Sequence, residues 1–340
     1  MSSLRPITIV GGGLAGLSLG LALRRAGVPV TVSDAGGYPR HRVCGEFIAG
    51  LGGGTIARLG LGPFLRDALR HREVAWFIDG QLVRRQRLPS PALALSRHAL
   101  DAGLAAALVD AGGVLQTHTR VTGNPSEPGW VFTTGRRRSS SAWLGLKIHA
   151  RGLALATDLE LHLGDAAYVG LSRVEAGRVN VCGLFQRREL SLHGPGLLAA
   201  YLQAAGLSVL AGQLARADFD EASFSAVAAV DFDRRVPAAD RVALGDACAM
   251  IPPFTGNGMA MAFQSAETAL EPLLAYARHH LAWSQARQAI TNALQRRFRV
   301  RLAAAAVLHP FLLEPPRQRW LVRLARARLL PLGPLYTLLH

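Results

Sequence analysis

The sequence predicts an α/β protein in which a parallel, dinucleotide-type sheet is interrupted by an antiparallel-sheet domain and followed by a helical C-terminal segment. Three observations carry that expectation. A strand, a glycine turn, a helix and a second strand ending in an acid open the chain; a second glycine-rich strand-to-helix turn comes more than 200 residues later; and alternating apolar runs separated by turn residues lie between them. The 340 residues exceed the size at which one hydrophobic core stops growing, so two domains are expected. A composition that is 50% hydrophobic and 6% aromatic excludes a disordered tail or a collagenous repeat. Three scattered cysteines, Cys44, Cys182 and Cys248, suit neither a disulfide framework nor a metal centre, and fit a reducing, cytoplasmic compartment.

The elements follow in order. Pro6 to Leu23 is an 18-residue uncharged stretch that hydropathy alone would read as a membrane span. Four glycines, Gly11, Gly12, Gly13 and Gly16, argue instead for strand ITIV, a tight turn and helix LSLGLALRRAG, before the strand VPVTVSD that ends in Asp34. Tyr38 to Gly54 reads as irregular and the region around Phe64 as a short helix. A hairpin turning at Asp79-Gly80 comes next. Ser96 N-caps a helix that ends at Gly112-Gly113. VLQTHTRVTG and GWVFTTG read as strands, Trp143 to Phe185 as an antiparallel sheet with turns at Asp165 and Gly177, and LLAAYLQAAG as a helix. VALGD then leads through a Pro/Gly loop into a long helix. From about Leu281 the chain is helical, basic and broken at Pro310, Pro315, Pro316, Pro331 and Pro334. The dinucleotide-binding domain is assigned to residues 1–72, 95–140 and 232–280, the substrate domain to 73–94 and 141–231, and the C-terminal segment to 281–340.

The net charge of +15 is unevenly placed: from Arg278 onward 11 arginines face one acid, Glu314. No nucleic-acid-binding signature accompanies them, so no nucleic-acid partner is expected. Apolar blocks alternate with these arginines, and Arg319, Arg323 and Arg326 share one helical face. The expectation is peripheral contact of residues 300–340 with an anionic inner membrane face, each arginine contributing about 1 kcal/mol.

Two motifs carry chemistry. Gly11-x-Gly13-x-x-Gly16, with Leu14 and Ala15, joins a strand to a helix, and Asp34 stands 18 residues beyond the last glycine. Glycines let backbone approach a pyrophosphate, the helix N-terminus faces its charge, and the acid accepts ribose hydroxyls. Gly245-Asp246, followed by Pro252-Pro253-Phe254-Thr255-Gly256-Asn257-Gly258-Met259, puts a carboxylate and amide-rich backbone at a second helix start.

This second segment resembles the GD segment of the p-hydroxybenzoate-hydroxylase-like flavoproteins, a superfamily that includes aromatic hydroxylases, flavin halogenases and geranylgeranyl reductases. The resemblance implies an FAD-binding Rossmann-like domain, with Asp246 on the ribityl chain and the loop of Gly256, Asn257, Gly258 and Met259 along the flavin ring. Arg97 matches the helix-opening arginine that these families place near the FAD phosphates. The run Arg40-His41-Arg42-Val43-Cys44-Gly45-Glu46 resembles the flavin-side segment of geranylgeranyl-reductase-like and halogenase-like members, which brings Arg42, Cys44 and Gly45 to the cofactor. The similarity runs from residue 6 to about 275. It departs where Arg136, Arg137 and Arg138 replace the usual Asp-Gly pair, and where the stretch 121–135 is too short for a full three-stranded flap.

The candidate catalytic residues are Lys147, His149 and Cys44. Lys147 is the only lysine in a chain that otherwise uses arginine, which suggests a need for a titratable amine. His149, two residues on, shares its face of a strand and is a candidate acid or base. Tyr168, Asn180 and Phe254 are candidate substrate contacts by fold analogy. The implied function is an FAD-dependent monooxygenase hydroxylating a lipophilic aromatic or polyketide-type substrate with NAD(P)H and O2. The alternatives are an isoprenoid double-bond reductase and a flavin-binding membrane-associated protein without turnover.

Overall fold

The computed structural model describes residues 3–78, 80–122, 127–135, 140–190, 192–230, 232, 241–327, 329 and 332–339. Five parallel strands form one sheet in the order Val242–Ala243, Trp130–Phe132, Ile7–Val10, Val30–Ser33 and Val114–Gln116. The expected strand-helix-strand unit is its centre. Helix Leu14–Arg25 lies between helix Gly258–Ala277 and helix Arg97–Asp110, which is why it is apolar all round: Leu17, Leu19, Leu21 and Leu23 are all buried. Ser96 caps the helix Arg97–Asp110 as expected, its hydroxyl accepting the Ala99 N–H at 3.1 Å.

The second sheet has eight strands in the order Asp218–Val230, Trp143–Arg151, Arg178–Gln186, Ala167–Val174, Leu159–Gly164, Leu69–Ile78, Gln81–Ala94 and Phe47–Ile48. It is antiparallel except where Leu69–Ile78 runs parallel to Leu159–Gly164. The expected turns at Asp165 and Gly177 join its central strands. The hairpin before Ser96 is present, but Asp79 of its turn lies outside the described residues, as do Arg136, Arg137 and Arg138.

Several elements differ from the sequence reading, among them the strand Phe47–Ile48 in the stretch read as irregular and the unread helix Ser208–Leu214. Strand Asp218–Val230 lacks clean polar-apolar alternation, and its register breaks between Asp220 and Ser225 and again near Val230, so no period marks it. Gly53–Leu59 is helical where the glycines suggested irregular chain, closed by Gly60 in the left-handed region at φ +62°.

Alternation sorts the second sheet. Leu146, Ile148, Val169, Leu171 and Val181 pack beneath helices Gly196–Ala204 and Ser208–Leu214. The opposite face carries Lys147 paired across from Cys182, and His149 across from Asn180.

Among the described residues the C-terminal segment forms four helices, Trp283–Leu308, Pro310–Leu313, Pro315–Arg326 and Leu332–Leu339. Leu312, Leu313 and Leu321 turn inward onto Leu161, Leu163 and Tyr168. Much of the apolar surface expected to meet a lipid leaflet is therefore covered by the protein itself. Trp320 (60% exposed) and Leu338 (47%) remain outside, with Arg319 and Arg323. The Arg326 side chain lies outside the described residues. No described helix is long and apolar enough to cross a membrane.

Candidate active site

The first glycine turn is dictated sterically. Gly11 has φ +111°, and a Cβ there would lie 2.3 Å from the Thr133 carbonyl oxygen. Helix Leu14–Arg25 begins without a side-chain cap, which leaves its first amides for an anion. Asp34 accepts the Gly12 and Gly36 N–H groups at 2.6 and 2.8 Å and pairs with Arg40 at 2.6 Å. Burial pushes its pKa up, yet those amides and Arg40 outweigh burial and hold the carboxyl below its usual value. The Tyr38 hydroxyl donates to the Gly12 carbonyl, so Tyr38 and Arg40 lie against the turn and the acid. Asp101 binds Arg97 at 2.7 and 2.8 Å and Arg42 at 3.1 Å, which aligns two guanidinium groups beside the turn.

The second turn places Gly245 at φ +59° and Gly256 at φ +69°; a Cβ on Gly256 would lie 2.1 Å from the Phe47 ring. Helix Gly258–Ala277 also starts without a side-chain cap. Asn257 is buried, donates to the Leu339 carbonyl, and keeps Oδ1 without a partner. Met259 packs in the core.

Between the 40–47 segment, the second turn and the second sheet lies a cavity of about 1140 Å³. Arg42, Arg97, Asp246 and Thr134 line its polar end, and Cys44 and Gly45 flank it. Tyr168, Cys182, Phe254, Leu312 and Leu321 line the apolar remainder, so the C-terminal helices complete the wall. Glycine close approach, uncapped helix starts, a carboxylate at each turn and two neighbouring arginines form a donor set that fits a dinucleotide. Among the described residues no group of three or more His, Cys, Asp or Glu side chains is arranged to hold a metal.

The candidate catalytic residues divide. Cys44 is at the cavity, but burial pushes its thiol pKa up, so it is held as a thiol. Lys147 and His149 are fully buried and do not line the cavity. Both meet Glu46, Lys147 at 3.4 Å and His149 at 2.6 Å. Asn180 is buried too, donating to the Cys44 carbonyl at 2.9 Å, and thereby holds the loop that forms the wall. Tyr168 and Phe254 do line the cavity, ring edge to face at 6.4 Å.

The sequence reading passes over Glu46, His41, His98 and His309. Only Glu46 had a local signal, as the acid that follows Cys44-Gly45. It sits at φ +55° with no exposed surface, a strained position for a residue with a side chain. His309 is stacked on Phe254 among aromatic rings, and burial lowers its pKa to about 4.

No family model matches the chain. A 66-residue stretch is 36% identical to menaquinone reductase of Mycobacterium tuberculosis, covering 19% of this chain and 16% of that protein, about a sixth of its length. Among solved structures, a variant of HpxO from Klebsiella pneumoniae complexed with FAD superposes with TM-score 0.74 at 17% identity, over 95% of this chain and 94% of that one. The p-nitrophenol 4-monooxygenase PnpA from Pseudomonas putida superposes with TM-score 0.71 at 15% identity, over 99% of each chain. The chain therefore shares the fold of these proteins.

Proposed function

We propose that the chain is an FAD-dependent monooxygenase that hydroxylates a lipophilic aromatic or polyketide-type substrate using NAD(P)H and O2. The observation that carries the reading is the continuity of the cavity, which runs from Arg42, Arg97 and Asp246 of the second turn to an apolar end. In this reading Gly11, Gly13 and Gly16 and the start of helix Leu14–Arg25 hold the pyrophosphate. Arg42 and Arg97 balance its charge, Asp246 receives the ribityl hydroxyls, and Asp34 receives the ribose once Arg40 yields. FAD held there would supply electron transfer from NAD(P)H to oxygen. The chain itself orients the substrate between Tyr168 and Phe254, while Leu312 and Leu321 keep water from that end.

The discriminating experiment incubates purified protein with NADPH and a cell lipid extract under labelled oxygen and analyses the products by mass spectrometry. Label in a product supports hydroxylation. Gain of hydrogen without label supports the second reading, reduction of an isoprenoid-type double bond, which the menaquinone reductase match and the Cys44-Gly45-Glu46 run favour. No product and no flavin reduction overturns both. Asp246→Ala should lower flavin content at least threefold; full flavin absorbance in that variant would remove Asp246 from the site.

Peripheral contact with an anionic membrane is part of the same proposal, supported by exposed Trp320, Arg319 and Arg323 on one helix. Replacing Arg319 and Arg323 with glutamine should reduce pelleting with phosphatidylglycerol vesicles. Equal pelleting ends the membrane reading.

A further inference from the structure

One polar cluster beside the cavity is not used in binding a cofactor. Glu46 accepts the Arg97 backbone N–H at 3.0 Å and lies 3.4 Å from Lys147 Nζ through Oε1, while Oε2 lies 2.6 Å from His149 Nε2. Lys147 Nζ also lies 3.2 Å from His41 Nδ1. His41, unlike the other three, lines the cavity. Its ring is stacked on His98 at 4.4 Å and stands edge-on to His149 at 5.3 Å, so its orientation is fixed from two sides.

The chemistry of the contact sets the tautomer. An ammonium has donors and no lone pair, so charged Lys147 donates to Nδ1, and the ring proton of neutral His41 must sit on Nε2. That leaves Nε2–H as the nitrogen not engaged by Lys147.

We propose that His41 donates a proton into the cavity from Nε2 and that Lys147, held by Glu46 and His149, replaces it. The Nε2–H bond breaks as a basic ligand atom takes the proton. Nδ1 bonds the proton leaving Nζ, and Lys147 becomes a neutral amine beside Glu46. No electrons change hands, and the reset runs back along the same path: Nε2 takes a proton from water in the cavity and Nδ1 returns its proton to Nζ, which restores the ammonium. The assignment rests on the flavin-enzyme reading only for its purpose, since hydroxylation with NAD(P)H and double-bond reduction each consume a proton.

The surroundings suit this task. Lys147 is faced by Glu46 and Cys44 from the 40–47 segment, by Cys182 from the adjoining strand and by His41. His41 is faced by Lys147 and His149, by His98 from the helix and by Glu46. Burial lowers the Lys147 pKa more than Glu46 raises it, which makes the ammonium a stronger acid than a solvated lysine. Burial, then Lys147, His98 and His149, pushes His41 down to about 4, so its ring stays neutral at pH 7. An arginine could not serve, because a guanidinium does not release its proton. That accounts for the one lysine among 37 arginines.

The same uniqueness makes the test direct. Carbon-13 lysine labelling of the purified protein yields a single Cε signal, whose pH titration reports Lys147. Its midpoint is expected at least one unit below the solvated value of about 10.4, and lower still in His41→Leu, where the acceptor is lost. Nitrogen-15 histidine spectra should show one ring held as the Nε2–H tautomer from pH 5 to 9, absent in His41→Leu and mixed in Lys147→Met. A wild-type Lys147 midpoint at or above the solvated value, or a His41 ring titrating near 6.5, overturns the proposal and requires no variant to fold. Turnover adds a readout: His41→Leu should lower kcat about 100-fold with KM little changed. The spectra do not depend on flavin, so the proton assignment and the oxidoreductase reading fail separately.

Discussion

Asp34 and Glu46 are both buried carboxylates that accept backbone amides, yet their side-chain partners are opposite in kind. Asp34 is held by two backbone amides and by Arg40, groups that keep their protons at any working pH. Glu46 is held by Lys147 and His149, groups that can release theirs. Permanent partners fix a charge in place, as a binding site requires. Titratable partners, one contact away from cavity-lining His41, make a charge that responds to proton movement. The contrast teaches that a carboxylate's role is read from the acidity of its neighbours rather than from its own burial.

The largest expected effect breaks the Glu46 side. Glu46→Leu leaves Lys147 buried without its carboxylate and should destabilise the fold by about 3–5 kcal/mol, measured by urea unfolding. Glu46→Leu with Lys147→Met should recover much of that loss, because the uncompensated charge goes with the lysine. If the single and double variants unfold alike, the cluster is held by packing rather than by charge.

An intermediate effect is expected at the first turn. Gly11→Ala must strain a left-handed position and displace the Thr133 carbonyl, at a cost of about 1–3 kcal/mol, and it should abolish flavin retention during purification. Normal flavin content would show that the turn is not the pyrophosphate site.

The smallest effect concerns pH at Asp34. Its pKa in the folded protein lies below the unfolded value, so its stabilising contribution is present above that unfolded value, about 3.9, and is lost as pH falls through the folded one. Asp34→Asn should remove this part of the acid sensitivity, making urea midpoints at pH 7 and pH 3 closer than in the wild type. An unchanged difference would assign the acid sensitivity to other carboxylates.

Local features were legible where short-range sterics decide them. The Gly11 turn and the Ser96 cap each rest on one residue's backbone freedom or one side chain's reach, and the hairpin at Gly177 on two consecutive left-handed residues, Ala176 and Gly177. Lys147 was singled out because its amine is unlike the arginines around it in composition, although its carboxylate partner was not visible. Strand Asp218–Val230 escaped notice because its register breaks erase the period-two pattern.

The sequence by itself determined the parallel-sheet unit, both glycine turns and the acids that serve them, because each is encoded within a few dozen consecutive residues. Only the tertiary structure decided that Glu46 meets Lys147 and His149 from a hundred residues away, that His41 joins them at the cavity wall, and that C-terminal leucines close the cavity instead of meeting solvent. The reason is physical: backbone sterics act between neighbours in the chain, whereas the pairing of buried charges and the covering of apolar faces depend on strand register and helix docking.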